Sequence, residues 1–409
     1  MNSSKKLYVE KQIIKPTHKY YNQLDELCLL SKNLYNTTLY RARQYYFENN
    51  SRFSAYDFIR EFTKENQKDF RALPARVSRY VVQLVEKNMN SYFKLIKLKQ
   101  KGEFTQKVKL PNYLNKKTGR QIVHYHYQSL SSQETGKVKL SKSDIVLNTT
   151  VPFNAIQYLQ VVQCGNHIKV LISYYKTKPA LKKSGKRFAS IDVGVNNLMT
   201  VTSNVFHPII YNGKPMKSVN QFFNKTRAKE VARLKQSNGV TSSKKLDKLS
   251  LWRKNQIDNY FHKVTSDFVR VCKENKIDTV VIGRNKGWKT NLNIGSRNNQ
   301  QFRMIPFLLI YNMLSYKLEM AGINYIETEE SYTSKCSFID KEELVHHDSY
   351  AGRRVMRGLF KSKDGHKYNA DINGSLNILR KYLTNQNAYS NKLHKELITH
   401  MTNPKRITV

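Results

Sequence analysis

Two aspartates have the residue type and setting from which phosphodiester chemistry is built. Asp192 lies in SIDVGVNN, at the end of an apolar stretch and directly before a glycine turn, so a strand there holds its carboxylate at a sheet edge. Asp371 lies in NADINGSLNIL and opens a helical pattern. Taken singly, each has a plain structural explanation. Asp192 would form a turn, and Asp371 would be a helix N-cap accepting hydrogen bonds from first-turn amides. Taken together, with Gly194 and Asn373 beside them, the pair suits a site where a few carboxylates hold two Mg2+ ions. Such ions lie about 3.5–4 Å apart, activate a water and stabilise the leaving oxygen of a phosphodiester.

The elements that must position these acids follow from the apolar spacing. FASIDVGVNNLMTVTS reads as two strands around a turn, and TVVI (279–282) as a buried strand. Between them, Leu251, Trp252, Ile257, Tyr260, Phe261, Val264, Phe268 and Val271 recur at helical spacing. FLLIYNMLSYKLEMAG predicts a helix, INYIETEES a strand, 331–370 a polar irregular segment, and ADINGSLNILRKYL the last helix. That order describes an α/β domain with a mixed central sheet.

The first half differs. Leu24, Leu27, Leu30, Leu34 and Tyr35 predict one helix, with Lys32, Arg41 and Arg43 among them. Val77, Val81, Leu84, Val85, Tyr92, Phe93 and Ile96 predict another after Pro74, with Arg76 and Arg79 at its start. Either helix alone would be a solvated charged face over a core stripe. As a pair in so basic a chain, they read as one wall of a nucleic-acid groove. From about 105 to 180, short β-rich runs follow Gly and Pro punctuation, and QYLQVVQC and HIKVLISYYK are joined through Gly165-Asn166 as a hairpin. These runs read as a small barrel completed by the N-terminal strand.

Charge supports a polyanionic partner. Among 409 residues, 71 Lys and Arg against 30 Asp and Glu leave +41, while solubility is served by a net charge of about 2–8 for a small domain. Self-repulsion of that size opposes compaction unless a polyanion neutralises it. The 26 tyrosines and 18 phenylalanines offer stacking surfaces for unpaired bases. No apolar run approaches the roughly 20 residues of a membrane span, and MNSSKKLYVEK lacks a signal-peptide core, so the expectation is a soluble, intracellular protein without a membrane partner. Cys28, Cys164, Cys272 and Cys336 form no CxxC pair.

The ordered motifs SIDVGVNNL, TSKCS and ADINGSLNIL resemble the RuvC-like nuclease half of TnpB, the RNA-guided endonucleases of bacterial insertion sequences, and are similar to the Fanzor proteins and type V CRISPR effectors. LSKNLYNTTLYRARQYYF and VKLPNYL resemble that family's helical recognition lobe and β-barrel wedge. The resemblance implies a multidomain α+β fold: a β-barrel wedge domain at 1–19 and 103–180, a helical recognition domain at 20–102, an α/β RuvC-like (ribonuclease-H) nuclease domain at 185–330 and 368–385, a degenerate zinc-ribbon-like insertion at 331–367 and a tail at 386–409. It implies a structured guide RNA and target double-stranded DNA bearing a short flanking motif, with one protein copy in the ribonucleoprotein. A basic channel would then recognise a heteroduplex by shape while base pairing carries the sequence. The compartment follows the host: cytoplasm or nucleoid in a bacterium, nucleus in a eukaryotic or viral setting.

Two departures from the family pattern stand out. The middle acid, commonly a Glu ending the strand DTVVIGRNKGWK, is replaced by Gly283, and no Asp or Glu occurs from Thr279 to Leu318. A guided binder without cleavage is the alternative this raises. The substitute acids are Glu329 and Glu330, which end the next strand. Because alternate strand residues face opposite ways, only one serves, and Glu330, nearer the strand end, is favoured. The metal set expected is Asp192, Glu330 and Asp371. The second departure is at the zinc ribbon. Cys336 stands alone, and His346, His347 and His366 lie too far from it in sequence for normal zinc spacing, so a metal-free β insertion is expected. Arg353, Arg354 and Arg357 lie close to the proposed acids and read equally as a clamp on a substrate strand or as a solvated basic loop. The acid-free run GRNKGWKTNLNIGSRNNQ, with Trp288, Lys289 and Arg297, reads as a nucleic-acid-contacting loop.

Overall fold

The computed structural model describes residues 5–132, 134–181, 185–285, 295–356 and 358–409, apart from the side chains at 238, 296–298 and 301. The chain divides into two units, Met1–Thr177 and Lys178–Val409. No helix among the described residues is long and apolar enough to cross a membrane.

In the first unit, β1 (Lys5–Ile14) precedes four helices: α1 (Tyr21–Asn49), α2 (Ala55–Lys64), α3 (Lys68–Ala72) and α4 (Ala75–Gln100). Then come β2 (Val123–His126), β3 (Leu130–Ser131), β4 (Lys137–Leu140), β5 (Val146–Asn148), β6 (Ile156–Cys164) and β7 (His167–Thr177). The Gly165-Asn166 hairpin forms, with Cys164 opposite His167, and β1 pairs with β7 from Lys5↔Thr177 to Ile14↔Ile168. Among the described residues, the strands expected to build the barrel form a sheet of order β1-β7-β6-β2 and a second one of β3-β4-β5. The helical stretch 20–102 shares its core with them, since Leu24 and Leu34 of α1, Val81 and Val85 of α4, and Val161 and Val170 of the first sheet belong to one apolar cluster.

The second unit is built on a six-stranded sheet of order β12-β11-β8-β9-β10-β16. Its strands are β8 (Phe188–Val193), β9 (Asn197–Ser203), β10 (Ile209–Asn212), β11 (Thr279–Gly283), β12 (Asn324–Thr328) and β16 (Lys405–Ile407). The helices α5 (Lys214–Asn238), α6 (Lys244–Glu274), α7 (Ser296–Met304), α8 (Phe307–Met320), α9 (Ala370–Asn385) and α10 (Asn391–His400) surround it, and β13 (Arg353–Met356), β14 (Leu359–Lys361) and β15 (Lys367–Asn369) form a small sheet of their own. The two-residue period of β11 shows how the large sheet is covered on both faces. Val280 and Ile282 pack with Phe261, Phe268 and Leu314 of α6 and α8, whereas Val281 packs with Leu376, Leu379 and Leu397 of α9 and α10.

The polar stretch 386–409 is not a loose tail. Leu393 and Leu397 of α10 are buried, and β16 runs parallel to β10 at the sheet edge. The stretch before β11 is likewise two helices. α5 ends at Gly239 in the left-handed conformation, and Ser243 caps α6 by accepting from Leu246 N–H.

Candidate active site

Three parallel strands bring the acids together. β8 and β11 pair in register through Ile191↔Ile282, and β11 and β12 through Gly283↔Thr328. The C-terminal ends of β8, β11 and β12 therefore share one sheet edge, which in open α/β sheets is where ligands bind. Asp192 stands at the end of β8, Gly283 at the end of β11, and Glu330 two residues past the end of β12.

α9 brings the third acid onto that edge. Its docking is fixed by a buried hydroxyl cluster: Ser190 Oγ donates to the Ser375 carbonyl at 2.8 Å and lies 2.8 Å from Thr202 Oγ1, itself 2.9 Å from Ser375 Oγ. The N-cap is Asn369, not Asp371. The Asn369 side chain accepts from the N–H groups of Asp371 and Ile372 at 2.9 and 3.2 Å. Capping by a neighbour leaves the Asp371 carboxylate for other work. Asn197 donates to Asp371 Oδ2 at 2.6 Å, and the Arg354 guanidinium lies 3.7 Å from Oδ1.

The two candidate glutamates separate cleanly. Glu329 is exposed, paired with Lys381, and accepts from Ser331 N–H at 2.7 Å. Glu330 turns inward over Gly283, where a Cβ would stand 2.6 Å from Glu330 Oε2 and 2.6 Å from Ile378 Cδ1. Gly283 thus leaves the space that the Glu330 carboxylate occupies. Gly374 plays the same part on α9, where a Cβ would come within 2.7 Å of Asp192 Oδ2.

The electrostatics register this crowding. Burial, then the charges of Asp371 and Glu330, push Asp192 well above the usual carboxylate range, with Arg354 pulling weakly the other way. Burial, then Glu329, raises Glu330. Tyr311 donates to the Gly283 carbonyl at 3.2 Å, and its phenol is raised by burial and by Glu330 and Asp192. The Glu330 N–H donates to Asn285 Oδ1 at 3.1 Å, and Arg284 forks onto Glu327 at 2.6 and 2.8 Å.

Asn197, Asn285, Tyr311 and Gly374 were missed in the sequence. Only Asn197, in the GVNN turn, carries a readable cue there. Asn373 and Asn377, one turn apart on an otherwise apolar helix, signal a polar anchor. Asn373 donates to the Cys336 carbonyl at 2.9 Å and accepts from Phe338 N–H at 3.0 Å, and Asn377 donates to the carbonyls of Thr333 and Cys336. They tie the 331–340 segment to α9. Cys336 is a buried thiol that donates to the Glu343 carbonyl at 3.2 Å. His347 lies against that same carbonyl through Nε2, and His346 against the Tyr332 ring. Among the described residues, no three His, Cys, Asp or Glu side chains close around a metal-sized point. This includes the three acids, of which Asp192 feels the charges of the other two.

The basic residues singled out divide into two groups. Lys32 is only 3% exposed and donates to the Lys116 carbonyl at 2.9 Å. Arg41 pairs with Glu65 at 2.5 Å and lies over the Phe62 ring, and Arg43 donates to the Pro111 carbonyl and lies over Tyr113. These three make contacts that hold the first unit together. Arg76, Arg79 and Arg353 are exposed. Trp288, Lys289, Arg357 and the side chain of Arg297 lie outside the described residues.

Comparisons with known proteins converge on the same segments. Residues 171–289 match the OrfB_IS605 family, described as probable transposase, and residues 307–378 match the Cas12f1-like TNB domain. A TnpB-like protein, ORF457 of Acidianus two-tailed virus, is 23% identical over 212 residues, a match covering 49% of this chain and 43% of that protein. The chain thus spans less than half the length of that relative. Among solved structures, the chain is similar to a Cas12f1–sgRNA–target DNA complex, with 14% identity and a TM-score of 0.53 over 88% of this chain and 82% of that one, a likeness of fold.

Proposed function

On the premise that the chain is a relative of the TnpB proteins through its second unit, we propose that it is an RNA-guided DNA endonuclease whose cutting site is formed by Asp192, Glu330 and Asp371. The observation that carries this reading is the meeting of three carboxylates at one sheet edge, two of them with raised proton affinity and, among the described residues, Arg354 in partial compensation. Structural acids are normally paired off, and acids left to repel one another mark working sites.

The donor set fits Mg2+ in kind, since hard cations take carboxylate oxygens. Held by these three residues, Mg2+ would supply an activated water and charge neutralisation at the leaving oxygen. The chain's own residues set the geometry. Asn197 orients Asp371, Gly283 and Asn285 seat Glu330, and Gly374 admits Asp192 against α9. The planar fork of Arg354 suits a phosphate oxygen once a strand arrives. The +41 excess suits a guide RNA and its heteroduplex with target DNA, a partner read by backbone and shape.

The test is co-expression with the flanking genomic DNA, sequencing of the RNA that co-purifies, and cleavage of a matching plasmid library with Mg2+ or EDTA. Linear products that vanish in Asp192→Ala and Glu330→Ala but persist in Glu329→Ala support the proposal. A wild type that holds RNA and target yet never cuts identifies a guided binder, and joined DNA ends identify a strand-transfer enzyme.

A further inference from the structure

A cleft of about 420 Å³ opens between α5 and α7 in the second unit, within the range of roughly 300–1,000 Å³ typical of small-molecule sites. Its described lining is chemically narrow. It has two lysines (Lys217 and Lys225), four amides (Asn220, Gln221, Asn224 and Gln300), a methionine and no carboxylate. Such a lining suits an anion that also carries a hydrogen-bonding edge and a flat apolar face.

The amides are set for that edge. Asn220 and Asn224 are one turn apart and so lie on the same helix face. Asn220, only 5% exposed, accepts from Arg253 Nε at 2.7 Å through Oδ1, so its Nδ2 is the end that can donate to a ligand. Asn224 donates through Nδ2 to Met304 Sδ at 3.0 Å, so its Oδ1 is the end that can accept. A donor and an acceptor one helical turn apart supply the two hydrogen-bonding functions that the edge of a purine such as adenine presents. The floor is held from beneath, because Arg253 also donates to the Met304 carbonyl at 2.7 Å and lies over the Phe223 ring. One lysine of the cleft reaches the β8–β9 turn that also holds Asp371. Lys217 Nζ donates to Asn196 Oδ1 at 2.8 Å, and the next residue, Asn197, holds Asp371.

We propose that this cleft is a subsite for one unpaired nucleotide of the strand being cut, its base between the α5 amides and Met304 and its phosphate toward Lys217 and Lys225. This rests on the nuclease reading for the identity of the strand, and on the lining for the class of ligand.

The experiment uses the full chain with its co-purified RNA in EDTA, so that no cleavage is needed. A single-stranded hexamer of dA bearing a base-linked diazirine is crosslinked to it and mapped by mass spectrometry. Crosslinks are expected within 214–238 and 296–304. They should fall about 5–10-fold in Asn224→Leu, and likewise in the exposed pair Gln221→Ala and Lys225→Ala, for the loss of one or two hydrogen bonds. An abasic hexamer should compete several-fold more weakly than the dA hexamer. Crosslinks confined to other segments, or an abasic strand that competes equally, overturn the proposal. Because the readout is binding, crosslinks in the cleft of a protein that never cuts uphold the subsite while sinking the nuclease, and cutting without such crosslinks does the reverse.

Discussion

The basic helix α1 and the acidic edge of the large sheet treat charge in opposite ways. On α1, Lys32, Arg41 and Arg43 each pair with a group within their own unit. At the sheet edge, Asp192 feels the charges of Asp371 and Glu330, and among the described residues the cation Arg354 stands 3.7 Å from Asp371. The sequence shows both as conspicuous clusters of charge. What separates framework from chemistry is compensation: a satisfied charge holds a fold, and an uncompensated one waits for a ligand.

The largest test of that contrast removes the acids. Asp192→Ala or Glu330→Ala should lower guided cleavage by about 10³-fold or more, while Glu329→Ala, whose acid is satisfied by Lys381, should stay within a few-fold of wild type. Equal losses from Glu329 and Glu330 would erase the distinction between them.

Next comes the seat of the middle acid. Gly283→Ala adds a Cβ 2.6 Å from both Glu330 and Ile378, and should destabilise by about 1–3 kcal/mol in chemical denaturation while displacing the carboxylate and cutting activity. Unchanged activity would mean that Glu330 does not need the position it occupies.

On the other side of the comparison, Lys32→Met leaves the Lys116 carbonyl without its donor, and should cost about 1–3 kcal/mol of stability. Its effect on RNA retention at temperatures where the variant remains folded should be slight. Arg79→Ala, at an exposed position, should do the reverse, leaving the melting temperature alone and weakening nucleic-acid binding and its salt dependence.

The smallest effect is a pH slope. Asp192 binds its proton more tightly folded than unfolded, so between its ordinary value and its raised one the folded state holds the extra proton. Stability without divalent cations should therefore fall as pH rises from about 4. Asp192→Asn should flatten that fall in a melting series, and Mg2+ should offset it in the wild type.

Much of this was legible from local pattern. Apolar runs bounded by turn residues placed β8, β11 and β12, Gly165-Asn166 placed its hairpin, and the ADINGSLN spacing placed α9. What was not legible depended on partners far along the chain. Burial of Lys32 is decided by a carbonyl 84 residues away, which no periodicity of α1 reveals. β16 is three residues long and exists because β10 offers it an edge. The N-cap role of Asn369 was readable from its Asn but was overlooked in favour of the more conspicuous aspartate. The choice between Glu329 and Glu330 rested on how the chain leaves β12, which strand alternation describes only up to Thr328.

The contact between Gly283 and Glu330 couples two positions that lie 47 residues apart in the chain. With the carboxylate from 330 seated above 283, any side chain placed at 283 meets it. A larger residue at 283 therefore calls for a compensating change at 330, and the two are best varied as a pair.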